Sequence, residues 1–302
     1  MPKNKSFGTI CDLRAMPLFA HVEPQETNRV DQITFCSIGS GSSGNAYLLS
    51  SNDGHILLDV GLPLRYIARV LKDVNLSFGQ LSAVLVTHSH SDHVRSLARL
   101  SQLYNLPIYA SVAAFTNIDK RKNDKPIRSA YRYHLYPFQS VNIAGFDVEA
   151  FPIPHDSNDC LGFFFQKGEF SLTHLSDVGS FLDVHYTYAR KSNHLVLEAN
   201  YDREMLLRSS YPYHLKQRII GSGGHASNQE SALFLKKIYS AKLRKVWLCH
   251  ISKENNHPDC CRSTFEQLLS DTVTDRPIFN DLIEILPRLA PSNSYSFRIY
   301  ES

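Results

Sequence analysis

Apolar and polar positions along this chain fall into short runs with two distinct periods. Alternating or unbroken apolar runs bounded by turn residues predict strands at 33–38, 46–50, 55–60, 83–86, 107–110, 141–143, 146–153, 161–166, 170–176, 195–198 and 245–249. Two more, at 282–286 and 295–299, read as edge strands. A helical period occupies 63–74, with Pro63 at its start, and then 92–104, 112–118, 181–190, 203–208, 213–219, 228–239 and 262–269. No repeat and no linker divides the chain. Strand-rich halves, each flanked by helices, predict an α/β (α+β) fold in which two sheets pack face to face with helices outside, a four-layer αββα sandwich. One domain is expected over residues 31–302. Residues 1–30, with Pro2, Pro17, Pro24 and scattered charge, read as an extension that lies over the surface or is disordered.

Composition adds limits rather than a function. At 302 residues, 43% hydrophobic and 20% charged, the chain is long enough for a sizeable core. A net charge of +3 neither singles out nor repels a nucleic-acid partner. The six cysteines (Cys11, Cys36, Cys160, Cys249, Cys260, Cys261) form no CxxC pair, which fits a reduced compartment. No run reaches the roughly 18–20 apolar residues of a membrane span, and residues 1–30 lack the apolar centre of a signal peptide. The expectation is a soluble cytoplasmic protein with no membrane partner. The one conspicuous charged stretch, 119–134, interleaves Lys120, Arg121, Lys122, Lys125, Arg128 and Arg132 with Tyr131 and Tyr133. It reads either as a phosphate-contacting and base-stacking surface or as a solvated loop.

Chemistry concentrates in Thr87-His88-Ser89-His90-Ser91-Asp92-His93, between the strand at 83–86 and the helix at 92–104. His88 and His90 are two apart, so in extended backbone both imidazoles face one side. Asp92 either caps the helix or turns to the same point as His93. Nitrogen and oxygen ligands so placed can surround metal ions and leave positions open. Further ligand types stand beyond other strand ends: His155 after 146–153, Asp177 after 170–176 and His250 after 245–249.

In this order these residues resemble the metallo-β-lactamase fold hydrolases, over roughly residues 33–270. The resemblance implies two divalent metal ions, Zn2+ or Mn2+. His88, His90 and His155 would hold the first, Asp92, His93 and His250 the second, with Asp177 bridging both. Asp59, after the Ile56-Leu57-Leu58 run, matches a position that supports the cluster through hydrogen bonds. A closer branch is similar as well. Phe35-Cys36-Ser37-Ile38-Gly39-Ser40-Gly41-Ser42-Ser43-Gly44-Asn45, Leu197-Glu198-Ala199-Asn200, Gly224-His225-Ala226-Ser227-Asn228 and Cys249-His250-Ile251-Ser252-Lys253-Glu254-Asn255-Asn256 look like the YycJ/WalJ group, which is linked to 5′-end exonuclease activity on DNA. Residues 1–30 do not match that group's usual start.

Two metals about 3.5–4 Å apart would lower the pKa of a shared water toward 7 and clamp a phosphate oxygen. The bridging hydroxide would attack phosphorus in line, and the leaving 3′-oxygen would need a proton. His225 resembles the proton-donating His of the Gly-His-Ser-Thr motif in ribonuclease Z, where a Glu placed like Glu198 pairs with it; a carboxylate partner favours the protonated form a general acid needs. His225, Glu198 and Asp92 are therefore the expected catalytic residues. Ser42 and Asn45, in a Gly/Ser loop that either presents N–H groups to an anion or forms a tight hairpin, are expected substrate contacts. So are Asn228, Ser252, Lys253, Asn255 and Asn256, with Arg208, Lys216 and Arg218 adding positive charge. His55, His174, His194 and His214 read as structural. The leading expectation is a 5′-to-3′ exonuclease on double-stranded DNA. An RNA-processing nuclease, a metallohydrolase of small esters, lactones or cyclic phosphodiesters, and a nucleic-acid-binding scaffold with a vestigial site are the alternatives.

Overall fold

The computed structural model describes residues 30–121, 126–273 and 276–300. The first half runs β1 (Val30–Gly39), β2 (Ala46–Ser51), β3 (Gly54–Leu58), α1 (Leu64–Asp73), β4 (Ala83–Leu85), α2 (Ser91–Val94), α3 (Leu97–Leu103), β5 (Ile108–Ala110), α4 (Val112–Asp119) and β6 (Arg132–His134). The second begins β7 (Ser140–Ile143), β8 (Phe146–Pro152), β9 (Leu161–Lys167), β10 (Phe170–Leu175), α5 (Asp183–Lys191) and β11 (His194–Glu198). It continues α6 (Arg203–Arg208), α7 (Tyr213–Ile220), α8 (Asn228–Ile238), β12 (Lys245–Cys249), α9 (Pro258–Leu269), α10 (Arg276–Leu282) and β13 (Ile283–Ile285), and β14 (Tyr295–Tyr300) returns to pair with β1. Two seven-stranded sheets result, ordered β14-β1-β2-β3-β4-β5-β6 and β13-β12-β11-β10-β9-β8-β7. Each begins as antiparallel hairpins and becomes parallel, from β3 to β6 and from β10 to β13, where helical crossovers connect the strands.

Strand alternation builds the layers. In β1, Ile33 and Phe35 face the other sheet while Cys36 and Ile38 face the helices; in β12, Trp247 and Cys249 point inward and Val246 and Leu248 outward. The inner layer packs Phe35, Tyr47, Phe146, Phe163, Phe165 and Trp247 between the sheets. Ile67, Leu71, Leu97 and Phe115 cover the first sheet, and Tyr188, Leu235, Phe265 and Leu269 the second. The αββα sandwich read from the sequence is the observed architecture. No helix among the described residues is long and apolar enough to cross a membrane. The extension read over residues 1–30 lies, apart from Val30 in β1, outside the described residues, as do Lys122 and Lys125.

Two expectations change. The helix expected over 92–104 is two helices, because the carbonyls that would continue it are taken. Asp92 O accepts from Asn45 N (2.8 Å) and His93 O from Val60 N (2.7 Å), while Ser96 N donates to Val60 O (2.9 Å). The charged stretch 119–134 ends in an edge strand, β6. There Arg132 is paired with Asp119 at 2.7 and 2.6 Å and lies over Phe115, and Arg128 lies over Tyr131.

Candidate metal centre and adjoining cleft

The site gathers where strands end. Asp59 follows β3, the His88–His93 segment follows β4, His155 follows β8, Asp177 follows β10, Glu198 closes β11 and His250 follows β12. Asp59, Asp177 and His250 adopt left-handed backbone (φ 61°, 57° and 56°), so three strand exits are bent sharply toward one point. Asp and His tolerate that conformation better than most residues, and such bends gather at functional sites.

Hydrogen bonds orient the imidazoles. Buried Asp59 accepts from Thr87 N and Thr87 Oγ1, both at 2.9 Å, and lies 2.7 Å from His93 Nδ1. With its proton given to Asp59, Thr87 Oγ1 is left to accept from His88 Nδ1 at 3.1 Å. His155 Nδ1 donates to Gly224 O at 3.0 Å, and His250 Nδ1 lies 2.8 Å from Glu198 Oε1. In His88, His93, His155 and His250 alike, Nδ1 is tied to an oxygen and Nε2 is left for the interior of the site. His90 Nδ1 lies 3.3 Å from His155 Nε2. Asp177 Oδ2 lies 3.2 Å from His93 Nε2, and its Oδ1 lies 3.5 Å from His250 Nδ1 and 3.9 Å from His155 Nε2. Asp92 Oδ2 is 3.6 Å from His93 Nε2 and 3.5 Å from His250 Nε2.

This donor set fits divalent cations. His88, His90 and His155 form one group with donor atoms within 4.8 Å of one another, and Asp92, His93 and His250 form another. His88 Nε2 is buried without a hydrogen-bond partner, an arrangement too costly to keep unless something else binds there, and His250 Nε2 and Asp177 Oδ2, also buried, face only other members of the cluster. The electrostatics agree. Burial favours neutral imidazoles, yet Asp177, Asp59 and Asp92 outweigh it at His93, whose pKa is held well above the usual range. His250 is likewise raised, to about 10, by Asp177, Asp92 and Glu198 against the effect of burial. Burial raises Asp92, but the charges on His93 and His250 outweigh it and hold the group at about 2. Burial and the neighbouring His93 charge push His88 well down. The carboxylates thus draw positive charge into the centre, and metal ions answer that demand by displacing protons.

Glu198 ties the centre to His225. Its Oε1 lies 2.9 Å from His225 Nδ1, and its Oε2 accepts from Val178 N (2.6 Å) and Ala226 N (3.1 Å). Gly224 makes the turn possible: a Cβ there would stand 2.1 Å from Ile219 O at the end of α7. His225 opens onto a cleft of about 280 Å³ shared by His90, Asp92, His155, Asp177 and His250.

The expected substrate contacts divide. Ser42, Ser252 and Asn255 line the cleft. Asn45 is buried and not in the lining. Its Oδ1 accepts from Gly41 N at 2.9 Å and its Nδ2 lies 3.4 Å from Asp92 Oδ2, so it braces the cluster instead. The Gly/Ser loop is the tight hairpin, with Gly44 N donating to Gly41 O at 2.9 Å. Asn228 and Asn256 are also turned inward and bond each other at 2.8 and 3.0 Å. Lys253 lies outside the cleft, beside Glu254 at 3.3 Å. Arg218 does line it, ion-paired with Asp156, whereas exposed Arg208 pairs with Glu204 at 3.0 Å and Lys216 donates to the Leu207 and Ser209 carbonyls. His174 and His194 are buried, as structural histidines should be. Sequence reasoning missed Asp156, Asn200 and Tyr211 in the lining and Thr87 beneath it. Asp156 stands next to His155 in the chain, 3.4 Å from His90 Nε2 in space. Tyr211 carries no sequence signal beyond preceding Pro212.

Two sheets between helices, with a His/Asp cluster at the strand ends, define a metallohydrolase of the metallo-β-lactamase fold. The sequence profile of the beta-lactamase superfamily domain matches residues 55–251, and the chain belongs to that family. It is 30% identical over 233 residues to the exodeoxyribonuclease WalJ of Streptococcus pneumoniae, covering 77% of this chain and 87% of that one. It is 28% identical over 238 residues to the exodeoxyribonuclease YycJ of Bacillus anthracis, covering 78% and 89%. Among solved structures, the metallo-β-lactamase fold protein YhfI of Bacillus subtilis superposes with a TM-score of 0.66 at 18% identity, covering 88% of this chain and 100% of that one.

Proposed function

We propose that this hydrolase is a two-cation phosphodiesterase that removes nucleotides from the 5′ end of double-stranded DNA in the cytoplasm. The observation that carries the reading is the His225–Glu198 pair, 2.9 Å apart at the edge of the metal centre, in a chain similar to two proteins named exodeoxyribonucleases. His88, His90 and His155 would hold one cation and Asp92, His93 and His250 the other, with Asp177 between them; zinc or manganese suits these ligands. When bound, such ions supply a nucleophile at neutral pH and offset the charge that builds on phosphate.

The remaining work falls to side chains. Glu198 fixes Nδ1 of His225, so Nε2 is the atom that delivers a proton to the leaving 3′-oxygen. Ser42, Ser252 and Asn255 supply polar contacts to the scissile phosphate, and Arg218, ion-paired with Asp156, stands in the same lining on α7. The test is a nuclease assay on 5′-labelled and 3′-labelled DNA and RNA, with zinc and manganese varied. Release of labelled mononucleotide from 5′-labelled duplex DNA is expected, with loss in His90→Ala and slowing in His225→Ala that retains its metal. Cleavage of RNA alone, or of small esters alone, would replace the DNA reading.

A further inference from the structure

A second groove adjoins the catalytic cleft. About 490 Å³ in volume, it runs between the Ile251–Asn256 loop, the start of α9 and the segment after β13, and Ser252 lines both. A second link is the Gly/Ser loop. Ser42 faces the catalytic cleft, while the Arg288 side chain lies so close to Gly41 that a Cβ there would stand 3.2 Å from Arg288 Cγ. Ser252 and this loop thus stand between the two depressions.

The groove's chemistry is cationic over an apolar floor. Lys253, His257 and Arg288 line it with Ile285, Pro287 and Pro258, and no carboxylate is in the lining. Exposed Lys253 and His257 touch neighbouring acids, Glu254 and Asp259, each at 3.3 Å. Arg288 differs. It is half-buried, and its guanidinium makes no hydrogen bond or ion pair with any described residue. An arginine held in place by its stem, with its donors unspent among the described residues, is suited to a phosphate oxygen.

We infer that this groove carries the phosphodiester backbone of the DNA strand running out of the catalytic cleft, with Arg288 as its phosphate contact. The inference rests on the nuclease reading above and adds a binding subsite to it. Wild-type, Arg288→Ala and Arg288→Lys holoenzymes should be compared on a long 5′-phosphorylated duplex and on bis(p-nitrophenyl) phosphate, whose single phosphate cannot occupy a second phosphate site while it is being cleaved. Arg288→Ala should raise the KM for duplex roughly tenfold relative to the small diester, and lower the salt slope of DNA binding by about one phosphate. Arg288→Lys should recover part of both. A duplex KM and salt slope equal to wild type in Arg288→Ala would overturn the inference and leave the nuclease reading intact. A wild-type enzyme that turns over the small diester but neither binds nor cuts any polynucleotide would overturn both. Should the alanine variant also lose the small diester, Arg288→Gln, which keeps the stem on Gly41, carries the same comparison.

Discussion

Nδ1 of His225 and Nδ1 of His250 meet the same atom, Glu198 Oε1, at 2.9 and 2.8 Å. One carboxylate therefore orients both the proposed proton donor and a proposed metal ligand. Its other oxygen is fixed by two backbone N–H groups, so it has no freedom to serve one histidine at the other's expense.

That sharing separates two variants. His225→Ala should lower kcat by about 10²–10⁴, the usual worth of a general acid, with cation affinity unchanged. Glu198→Gln should lower turnover comparably and also weaken cation binding by about 10–100-fold, the usual cost of losing a ligand's supporting partner. Turnover measured beside a chelator competition distinguishes them. A Glu198→Gln enzyme with wild-type cation affinity would show that His250 does not depend on this anchor.

Asp59 does for the first sheet what Glu198 does for the second. It is fully buried, and its two oxygens accept from Thr87 N and Thr87 Oγ1 and hold His93 Nδ1. An amide has one acceptor oxygen and cannot satisfy all three donors. Asp59→Asn should weaken cation binding by about 10–100-fold and cost about 1–3 kcal/mol of stability, although the residue touches neither substrate nor metal. Metal content by elemental analysis and urea unfolding check the two effects.

The αββα layers were legible because they rest on local pattern, whereas the candidate cluster was legible only through the order of its residues along the chain, which resembles that of the metallo-β-lactamase fold hydrolases. Strand periods marked the runs at 33–38 and 245–249 and the strand ends where His155, Asp177 and His250 stand, while the facing of Trp247 against Val246, within an unbroken apolar run, came only from the packing. Long-range backbone bonds were not legible. Asn45 N and Val60 N, more than thirty residues upstream of their acceptors, take the carbonyls that would have run α2 into α3. Polar side chains adjacent to motifs were equally opaque, since adjacency says nothing about direction: Ser252 and Asn255 face the cleft while Asn256, one residue on, donates to the Ala199 and Asn200 carbonyls. Strand β6 escaped notice because its arginine and histidine mask the strand pattern, as charge on an edge strand commonly does.

Acid should destabilise the fold through His194. Burial lowers its pKa from 6.5 to about 4, with Ser171 O opposing through Nδ1 at 3.3 Å. The unfolded chain takes up a proton below pH 6.5 while the native imidazole stays neutral until about 4. Its contribution is therefore complete above 6.5 and is lost as the pH falls toward 4, by up to about 3 kcal/mol at ~1.4 kcal/mol per tenfold difference in proton affinity. His194→Phe keeps the stacking on Phe170 (ring centroids 4.7 Å apart) and removes the titration. The difference in urea unfolding free energy between pH 7.5 and pH 4.5 should shrink in this variant, even if its stability at pH 7.5 is lower. An unchanged difference would assign the acid sensitivity to other groups.

The sharpest steric prediction concerns a residue with no side chain. Gly61 N donates to Asn45 O (2.9 Å) while Asn45 N donates to Asp92 O (2.8 Å), so three backbone segments meet where Asp92 is held. A Cβ on Gly61 would stand 1.6 Å from Asp92 O and 2.8 Å from Asn45 N, and both are main-chain atoms that no rotamer change can move aside. Gly61→Ala must therefore displace Asp92 or unfold the junction. A misplacement of about 1 Å in a catalytic constellation costs on the order of 100-fold in rate, and overpacking costs about 1–3 kcal/mol. Gly79→Ala is the control, because the nearest atom to its new Cβ is Ser77 Oγ at 4.0 Å. Gly61→Ala should lose activity and bound metal together, while Gly79→Ala should retain both; a Gly61→Ala enzyme with full metal content and rate would show that Asp92 can shift without consequence.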